Sequence, residues 1–399
     1  MNVTSKGTLG QRLSRFLKGR VSTLTVEAGA SVVLPDGIVR VALETGTLRL
    51  AMGRQSLDFC QEPVLFGGAG GTGALVAMDP ECGLDRIAPL LRLEPGVEYA
   101  VVEMGAGKVG DISWLCELGR PTVSLLLTVM PAHLQGFGTL EDIANAKGEI
   151  FDGLGQGDCA VINADLPWAA SWRERAGAAS VIDFGLEKSA AITASDVRPL
   201  GVKGVSFTAI TPAGSMAVTL ALPGVHNVAN ALATTAVALA CGLDLTQIRS
   251  GLEAVQPTAG RLATAYSPVG STVIDDCYNA NPGSVRAAIS MLAGCEGRRT
   301  LVLGAMRELG PGSEALHREI GEYARAAGIE RFWGVGPELQ VAVDAFGSDA
   351  CWFADCESAI DATAGEFNSD DTVLVKGSRG ARMERVLHAL LASAPAGEG

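Results

Sequence analysis

No stretch of about eighteen consecutive apolar residues occurs in the chain. Its start also lacks the charged-then-apolar pattern of a secretory signal, so neither a membrane span nor secretion is expected. Paired cysteines are missing too: the 9 cysteines, Cys60, Cys82, Cys116, Cys159, Cys241, Cys277, Cys295, Cys351 and Cys356, stand singly, with no CxxC pair and no zinc spacing. Most have apolar neighbours and read as small core residues, which points to a reducing, cytoplasmic compartment. Positive charge is short: 31 Lys+Arg face 44 Asp+Glu, giving a formal charge of −13 and a pI near 4.9. Without a basic stripe to neutralise phosphates, a nucleic-acid partner is excluded. Aromatic residues make up only 5%, yet 48% of the 399 residues are apolar. That is enough for two or three ordinary cores, and two domains are expected.

The most informative stretch runs from Val101 to Phe151. Two short apolar runs, Ala100–Val102 and Thr122–Val129, are bounded by Gly and Pro and fit buried parallel strands. Glu103 stands just past the first and His133 in the loop past the second, and carboxyl ends of parallel strands are where open α/β sheets bind ligands. From Thr139 the spacing turns helical, with Ile143, Ile150, Phe151 and Leu154 on one side, Thr139 as N-cap and Asp142 three residues on. Lys147 falls inside that helix. A carboxylate, an imidazole and a lysine on consecutive elements build a cation site if they converge. Otherwise they are two solvated charges and a loop histidine, and spacing alone leaves both readings open.

Upstream, residues 1–20 have the outline of strand, loop and helix. Lys6-Gly7-Thr8 has the residue types of a phosphate loop in the wrong order and without its leading Gly, so ordinary helix entry and phosphate binding both stay open. Residues 22–60 read as short antiparallel strands, and the Gly67–Gly73 run, without a Lys, as a turn. Downstream come the strand CAVIN with Asn163-Ala164-Asp165, then Trp168 and Trp172 on a packed helix face, then β-patterned segments to residue 222. Gly224-Val225-His226-Asn227-Val228-Ala229-Asn230-Ala231 opens an Ala-rich helix, where His226 and Asn227 read locally as a cap. Pro257 and Gly260 break the pattern and put a domain boundary at Thr258–Gly260. Beyond it strands (TVIDD, TLVLGAM, RFWGVG, ACWFA, TVLVKGS) alternate with helices at 282–294, 314–327, 337–346, 357–366 and 381–392, which predicts a Rossmann-like, largely parallel sheet.

Several of these segments together resemble the Mur ligase superfamily, and within it MurF. The segments are Glu103-Met104-Gly105, Pro131-Ala132-His133-Leu134, Gly136-Phe137-Gly138, Ala146-Lys147-Gly148-Glu149-Ile150-Phe151, Gly224 to Ala231 and Gly260-Arg261-Leu262. Asp275-Asp276-Cys277-Tyr278-Asn279-Ala280-Asn281-Pro282 and Lys376-Gly377-Ser378-Arg379 complete the set. The resemblance spans residues 88–392. It implies an α/β fold: a central ATPase-type α/β domain over 1–259, then a Rossmann-like C-terminal α/β domain over 260–399. It further implies ATP-dependent amide formation through an acyl phosphate. Glu103 and His133 would hold Mg²⁺, with Lys147 as a carbamate, since a hard cation takes oxygen ligands. Lys6 and Thr8 fall where a phosphate loop would stand, and Asn227 opens the nucleotide helix. Asn230 would lie near adenine and Arg261 near the nucleotide, Asp275 would meet the ribose, and Asn279, Asn281, Lys376 and Arg379 would face the phosphates and the incoming amine.

Three departures shape the expectation. The loop order at Lys6 is degenerate, Leu127-Thr128 replaces the family's Thr-Asn, and the UDP-gripping domain has no counterpart. The expected reaction therefore joins an amine or amino acid to a small or carrier-borne carboxylate other than a UDP-muramoyl peptide. The alternative is a ligase-derived binding or scaffolding subunit. A homodimer or a partner subunit stays open.

Overall fold

The computed structural model describes residues 98–130 and 137–392 in full and, before them, five strands as backbone. Lys6, Thr8, His133 and the Ala69-Gly70 tip of the glycine run lie outside the described residues. The five strands are β1 (Thr23–Val26), β2 (Leu48–Met52), β3 (Gln55–Asp58), β4 (Val64–Gly68) and β5 (Gly71–Met78). The first three pair antiparallel, as the short Gly- and Pro-punctuated runs predict. Strand β4 pairs antiparallel with β5, Gly68 opposite Gly71, which places the glycine run at a hairpin.

The chain packs as two compact units. One holds the residues up to Ser124 with Ala144–Ala160 and Ser171–Ser180; the other holds Leu125–Ile143, Val161–Ala170 and everything from Val181 on. Strands β7 (Val123–Leu126), β8 (Cys159–Asn163) and β9 (Ser180–Phe184) form one three-stranded sheet.

In the first unit, β6 (Tyr99–Met104) pairs parallel with β5. The expected buried strand is instead one-sided. Val101 and Glu103 face outward, Val101 at 53% exposure, while Val102 and Met104 pack on Ile112, Leu115 and Cys116 of helix α1 (Asp111–Gly119). β6 ends the β4-β5-β6 order, and an edge strand with one covered face alternates. Helix α2 (Leu140–Gly148) runs straight into a 3₁₀ turn, Glu149–Phe151. Helix α3 (Ala169–Arg175) lies across this turn. The Trp172 ring is buried, sits 6.3 Å from Phe151 centroid to centroid, and donates to Ala144 O at 3.3 Å. Arg175 donates to Asn145 O at 2.6 Å and pairs with Asp152. Trp172 thus sits on a packed helix face, as its spacing predicts.

Gly148 is what lets α2 and α3 approach. A Cβ there would stand 2.7 Å from Trp172 Nε1 and 2.8 Å from Arg175 Nη1. Alanine would gain up to about 1 kcal/mol of helix propensity, but forcing atoms into a closed contact costs about 1–3 kcal/mol. Because the buried indole cannot step aside, overpacking wins. Gly148→Ala is expected to lower the denaturation midpoint, and an unchanged or raised midpoint would show that Trp172 has room.

In the second unit, the start of α2 carries the predicted cap: Asp142 Oδ2 accepts from Thr139 N–H (3.0 Å), and Thr139 Oγ1 accepts from Asp142 N–H (3.1 Å). An antiparallel sheet, β10 (Thr193–Pro199), β11 (Val205–Thr211) and β12 (Gly214–Leu220), precedes helices α4 (His226–Ala240) and α5 (Leu245–Ala254).

After residue 260 comes a six-stranded sheet. Its strands are β13 (Ala263–Tyr266), β14 (Thr272–Asp276), β15 (Arg298–Gly304), β16 (Arg331–Val335), β17 (Ala350–Phe353) and β18 (Asp371–Lys376), in the order 13-14-18-15-16-17. Only β13 is antiparallel. Helices α6 (Pro282–Ala293), α7 (Ser313–Ala326) and α8 (Gln340–Phe346) cover one face, packing on Ile274, Leu301, Phe332 and Leu374. Helices α9 (Cys356–Asp361) and α10 (Glu384–Ala392) cover the other, on Val273, Val302, Trp333 and Val375. Strands β14, β15, β16 and β18 therefore read as nearly unbroken apolar runs. Helix α9 stops short of the expected residue 366, as Thr363 Oγ1 turns back onto Ile360 O and Gly365 takes φ 71°. The winding reverses at β18, which returns between β14 and β15. That reversal opens the crevice where doubly wound sheets take ligands. No helix among the described residues is long and apolar enough to cross a membrane.

Candidate active site

Within the first unit, Glu103 is exposed near the end of β6, and Lys147 is half-buried in the last turn of α2. Burial lowers the basicity of the Lys147 amine, and the negative charge of Glu103 pulls it partly back up. The Glu103 charge thus acts on the Lys147 amine. Glu149, two residues on, is buried, and its carboxylate accepts from Gly110 N–H (2.8 and 3.1 Å) and Ser113 N–H (3.0 Å). Helix α1 has no side-chain cap from Gly110, so Glu149 supplies the anion its N-terminus attracts. Asp111 Oδ2 accepts from Gly107 and Lys108 N–H, both at 3.0 Å, and fixes the loop after β6. The Cys116 thiol is pushed up to about 11 by burial and then by Glu149 and Asp152, so it is an inert core group.

Within the second unit, the loops after β14, β15 and β18 meet at the crevice. Lys376 is 3% exposed, and its Nζ donates to Asp276 Oδ2 (2.5 Å) and to Asn279 O (2.9 Å). Ser378 Oγ accepts from Arg307 N–H (2.8 Å) and donates to Ala280 O (3.2 Å), tying all three loops together. His317 is buried; its Nδ1 donates to Ser313 O (2.8 Å), leaving Nε2 to accept from Met306 N–H (3.1 Å). Asn281 caps α6, accepting from Ser284 N–H at 2.8 Å, and Asn279 Oδ1 accepts from Ala280 N–H at 2.8 Å. At the start of α4, Asn227 donates to Pro223 O and accepts from Asn230 Nδ2 (2.9 Å). Asp275 latches the turn at Gly260: its oxygens accept from Gly260 N–H (2.6 Å) and Cys277 N–H (3.2 Å). Tyr278 N–H returns a bond to Gly260 O, and the Arg261 guanidinium lies 4.3 Å over the Tyr278 ring. Gly260 has φ 77°, and a Cβ would press on Tyr278 at 3.2 Å, so the close turn needs glycine.

The Mur ligase middle domain model matches residues 84–238, and the Mur ligase glutamate ligase domain model matches residues 260–379. The chain is 41% identical over 304 residues to UDP-N-acetylmuramoyl-tripeptide–D-alanyl-D-alanine ligase of Escherichia coli (strain K12), a match of 75% of this chain and 67% of that protein. This chain belongs to the Mur ligase family. The enzyme of that name from Mycobacterium tuberculosis (strain CDC 1551 / Oshkosh) is 32% identical over 76% of this chain and 64% of its own length. Among solved structures, MurF from Acinetobacter baumannii superposes with a TM-score of 0.73 at 30% identity, covering 79% of this chain and 70% of that one. MurF ligase from Thermotoga maritima in complex with ADP gives 0.68 at 26% identity, covering 79% and 73%. The chain spans about two thirds of the length of these curated relatives.

In this Mur ligase the expected site residues fall into three groups. Glu103 and Lys147 belong to one unit, where the carboxylate charge acts on the amine, with His133 outside the described residues. Asn279, Asn281 and Lys376 gather at the strand-end crevice of the other, with the exposed Arg379 opening the turn beyond. Asn227 and Asn230 lie at the start of α4, and Arg261 and Asp275 flank the turn at Gly260. The sequence reading missed Asp276 as the partner of Lys376, Tyr278 beneath Arg261, and Glu149 as a cap. Only the doubled Asp275-Asp276 hinted at the first.

Two histidines set an acid limit. His226 is held below its ordinary 6.5 by burial and then by the Lys376 charge, and His317 by burial, against the pull of Ser313 O. Below pH 6.5 the unfolded chain therefore binds more protons than the folded one, so stability falls as pH drops toward the lowered folded values. His226→Gln is expected to flatten that slope by about one proton's worth. An identical pH–stability curve in wild type and variant would refute the assignment.

Proposed function

We propose that this chain is an ATP-dependent, ADP-forming carboxylate–amine ligase. The observation that carries the reading is Lys147, half-buried, less basic than a free lysine and beside the Glu103 carboxylate. A lowered ammonium spends more time as the free amine, the form that adds carbon dioxide to become a carbamate. Carboxylate and carbamate oxygens are the donor set a hard divalent cation accepts. In this reading Glu103, His133 and carbamylated Lys147 would hold Mg²⁺, which when bound would neutralise phosphoryl oxygens.

The substrate carboxylate attacks the terminal phosphorus of ATP, the bond to ADP breaks, and an acyl phosphate results. The amine then attacks the acyl carbon, phosphate leaves, and the amine's proton goes to solvent or a base. Lys376 and Arg379 would offset negative charge at the crevice, and Asn230, Arg261 and Asp275 would orient the nucleotide. We place the domain boundary at Thr258–Gly260, between a central domain over 1–259 and a Rossmann-like domain over 260–399.

The relatives' names make UDP-N-acetylmuramoyl-tripeptide and D-alanyl-D-alanine the reference pair. Our reading keeps the acid as a smaller or carrier-borne carboxylate, and both kinds belong in one assay. ADP release that requires acid, amine and Mg²⁺ together supports the ligase. No release with any pair, alongside intact nucleotide binding, favours a scaffolding subunit.

The degenerate loop at Lys6-Gly7-Thr8 adds an expectation. Without the loop's backbone donors and ordered Lys, several kcal/mol of phosphate binding are lost, and at about 1.4 kcal/mol per tenfold ATP affinity falls by two or more orders of magnitude. The chain is expected to bind ATP, ADP and AMP similarly. Calorimetry giving ATP at least ten times tighter than AMP, an advantage abolished by Lys6→Ala, would sink that expectation.

A further inference from the structure

We propose that Asp276 is a positioning residue that orients the Lys376 ammonium at the crevice, leaving one N–H for a substrate oxygen. The proposal rests on the ligase reading and deepens it. Asp276 lies directly opposite Lys376 on the last rung between parallel strands β14 and β18. An ammonium has three N–H donors. Two are committed, to Asp276 Oδ2 at 2.5 Å and Asn279 O at 2.9 Å, and none of the acceptors recorded among the described residues takes the third.

The pair is almost closed to water, at 3% side-chain exposure for Lys376 and 13% for Asp276. Burial pushes the Asp276 carboxyl up, and the Lys376 charge beside it draws it part of the way back down. Other titratable groups near the pair are few. Asp275 adds negative charge from the neighbouring position, and the Cys277 thiol, pushed far up by burial, stays neutral. His226 on α4 is kept neutral by burial and by Lys376 itself. Asp276 is thus the carboxylate in hydrogen-bond contact with this ammonium, facing a neutral imidazole.

Stability does not explain the arrangement. A buried ion pair contributes little net stability compared with apolar side chains of similar volume. The other parallel strands end without such a pair, at Gly304, Val335 and Phe353. The charged rung at these carboxyl ends sits where the winding reverses and a ligand enters, whereas the Arg298–Asp371 rung lies at the opposite end of its strands.

The test uses Asp276→Asn and Asp276→Glu in the full chain, read in two ways. In the ligase assay, Asp276→Asn is expected to lower kcat about a hundredfold, as for loss of one preorganised charge contact. KM for ATP should change little. Its rate should also fall on the alkaline side at a pH where the wild type is still level, because without its carboxylate the ammonium loses its proton sooner. Asp276→Glu should restore most of the rate and the wild-type profile.

Acylation of Lys376 by a small amine-reactive reagent, read by mass spectrometry, should be slow in wild type and faster in Asp276→Asn at the same pH. A rate loss that tracks only the folded fraction, with an unshifted profile, overturns the proposal, as does unchanged labelling. If the wild type releases no ADP with any acid and amine, the ligase reading fails by itself. Labelling then still decides whether Asp276 holds the ammonium.

Discussion

Replacing Lys376 by methionine is expected to cost about 3–5 kcal/mol of unfolding free energy, because it leaves Asp276 as a buried carboxylate without its partner. The lost bond to Asn279 O adds to the loss, since that bond pins the loop between β14 and α6. Some of the penalty is relieved if Asp276 takes up a proton, which burial already favours. The deficit should therefore shrink as the pH is lowered. Removing both charges with Asp276→Leu/Lys376→Met should recover most of the stability while leaving the chain without ligase activity. Denaturant titrations of wild type, single and double variants complete the cycle. A single variant as stable as the double would mean that the pair is not coupled as the 2.5 Å contact requires.

The C-terminal half was legible because its signals are local. TVIDD, TLVLGAM, RFWGVG and TVLVKGS are apolar runs between Gly and Asn-Pro breaks, and strands covered by helices on both faces read that way. Asn281 before Pro282 marks a helix start whatever the fold around it, and the structure caps α6 there. Strand β6 was misread for the opposite reason. Its run of Ala100, Val101 and Val102 is apolar at every position, and three residues are too few to show that Val101 faces out and Val102 in. Pairings set by register were out of reach. Asp276 and Lys376 are 100 positions apart, and Glu149 reaches Gly110 across 39. Nothing in a linear pattern says which of two adjacent aspartates, Asp275 or Asp276, closes on the turn at Gly260 and which on the lysine. The division has a physical cause, because adjacent strand residues point to opposite faces of the sheet: Asp276 shares a face with Lys376, its partner on the same rung, which leaves Asp275 on the other face to accept from Gly260.

The Lys147→Ala variant should lose ligase activity by about a hundredfold to a thousandfold, the range for one preorganised group that stabilises developing charge. Stability should change far less, because Lys147 is only half-buried and its charge is already disfavoured by burial, so removing it relieves a desolvation cost. That combination separates a functional lysine from a structural one. A carbamate on Lys147 makes two further demands. Bicarbonate-depleted buffer should lower the wild-type rate and leave the variant unaffected, and short carboxylates added to Lys147→Ala should recover part of it by placing an oxygen anion where the carbamate stood. Glu103→Ala should lose activity as well, and no added carboxylate is needed to keep it folded, since Glu103 is exposed near a strand end. The discriminating measurement is the steady-state rate of Lys147→Ala with and without added acetate, beside its denaturation midpoint. A fully active, unrescued variant would reduce Lys147 to a charge on the flank of α2 and remove the main support for Mg²⁺ at Glu103. A variant that is inactive and also unfolded would instead place Lys147 in the packing between α2 and its neighbours.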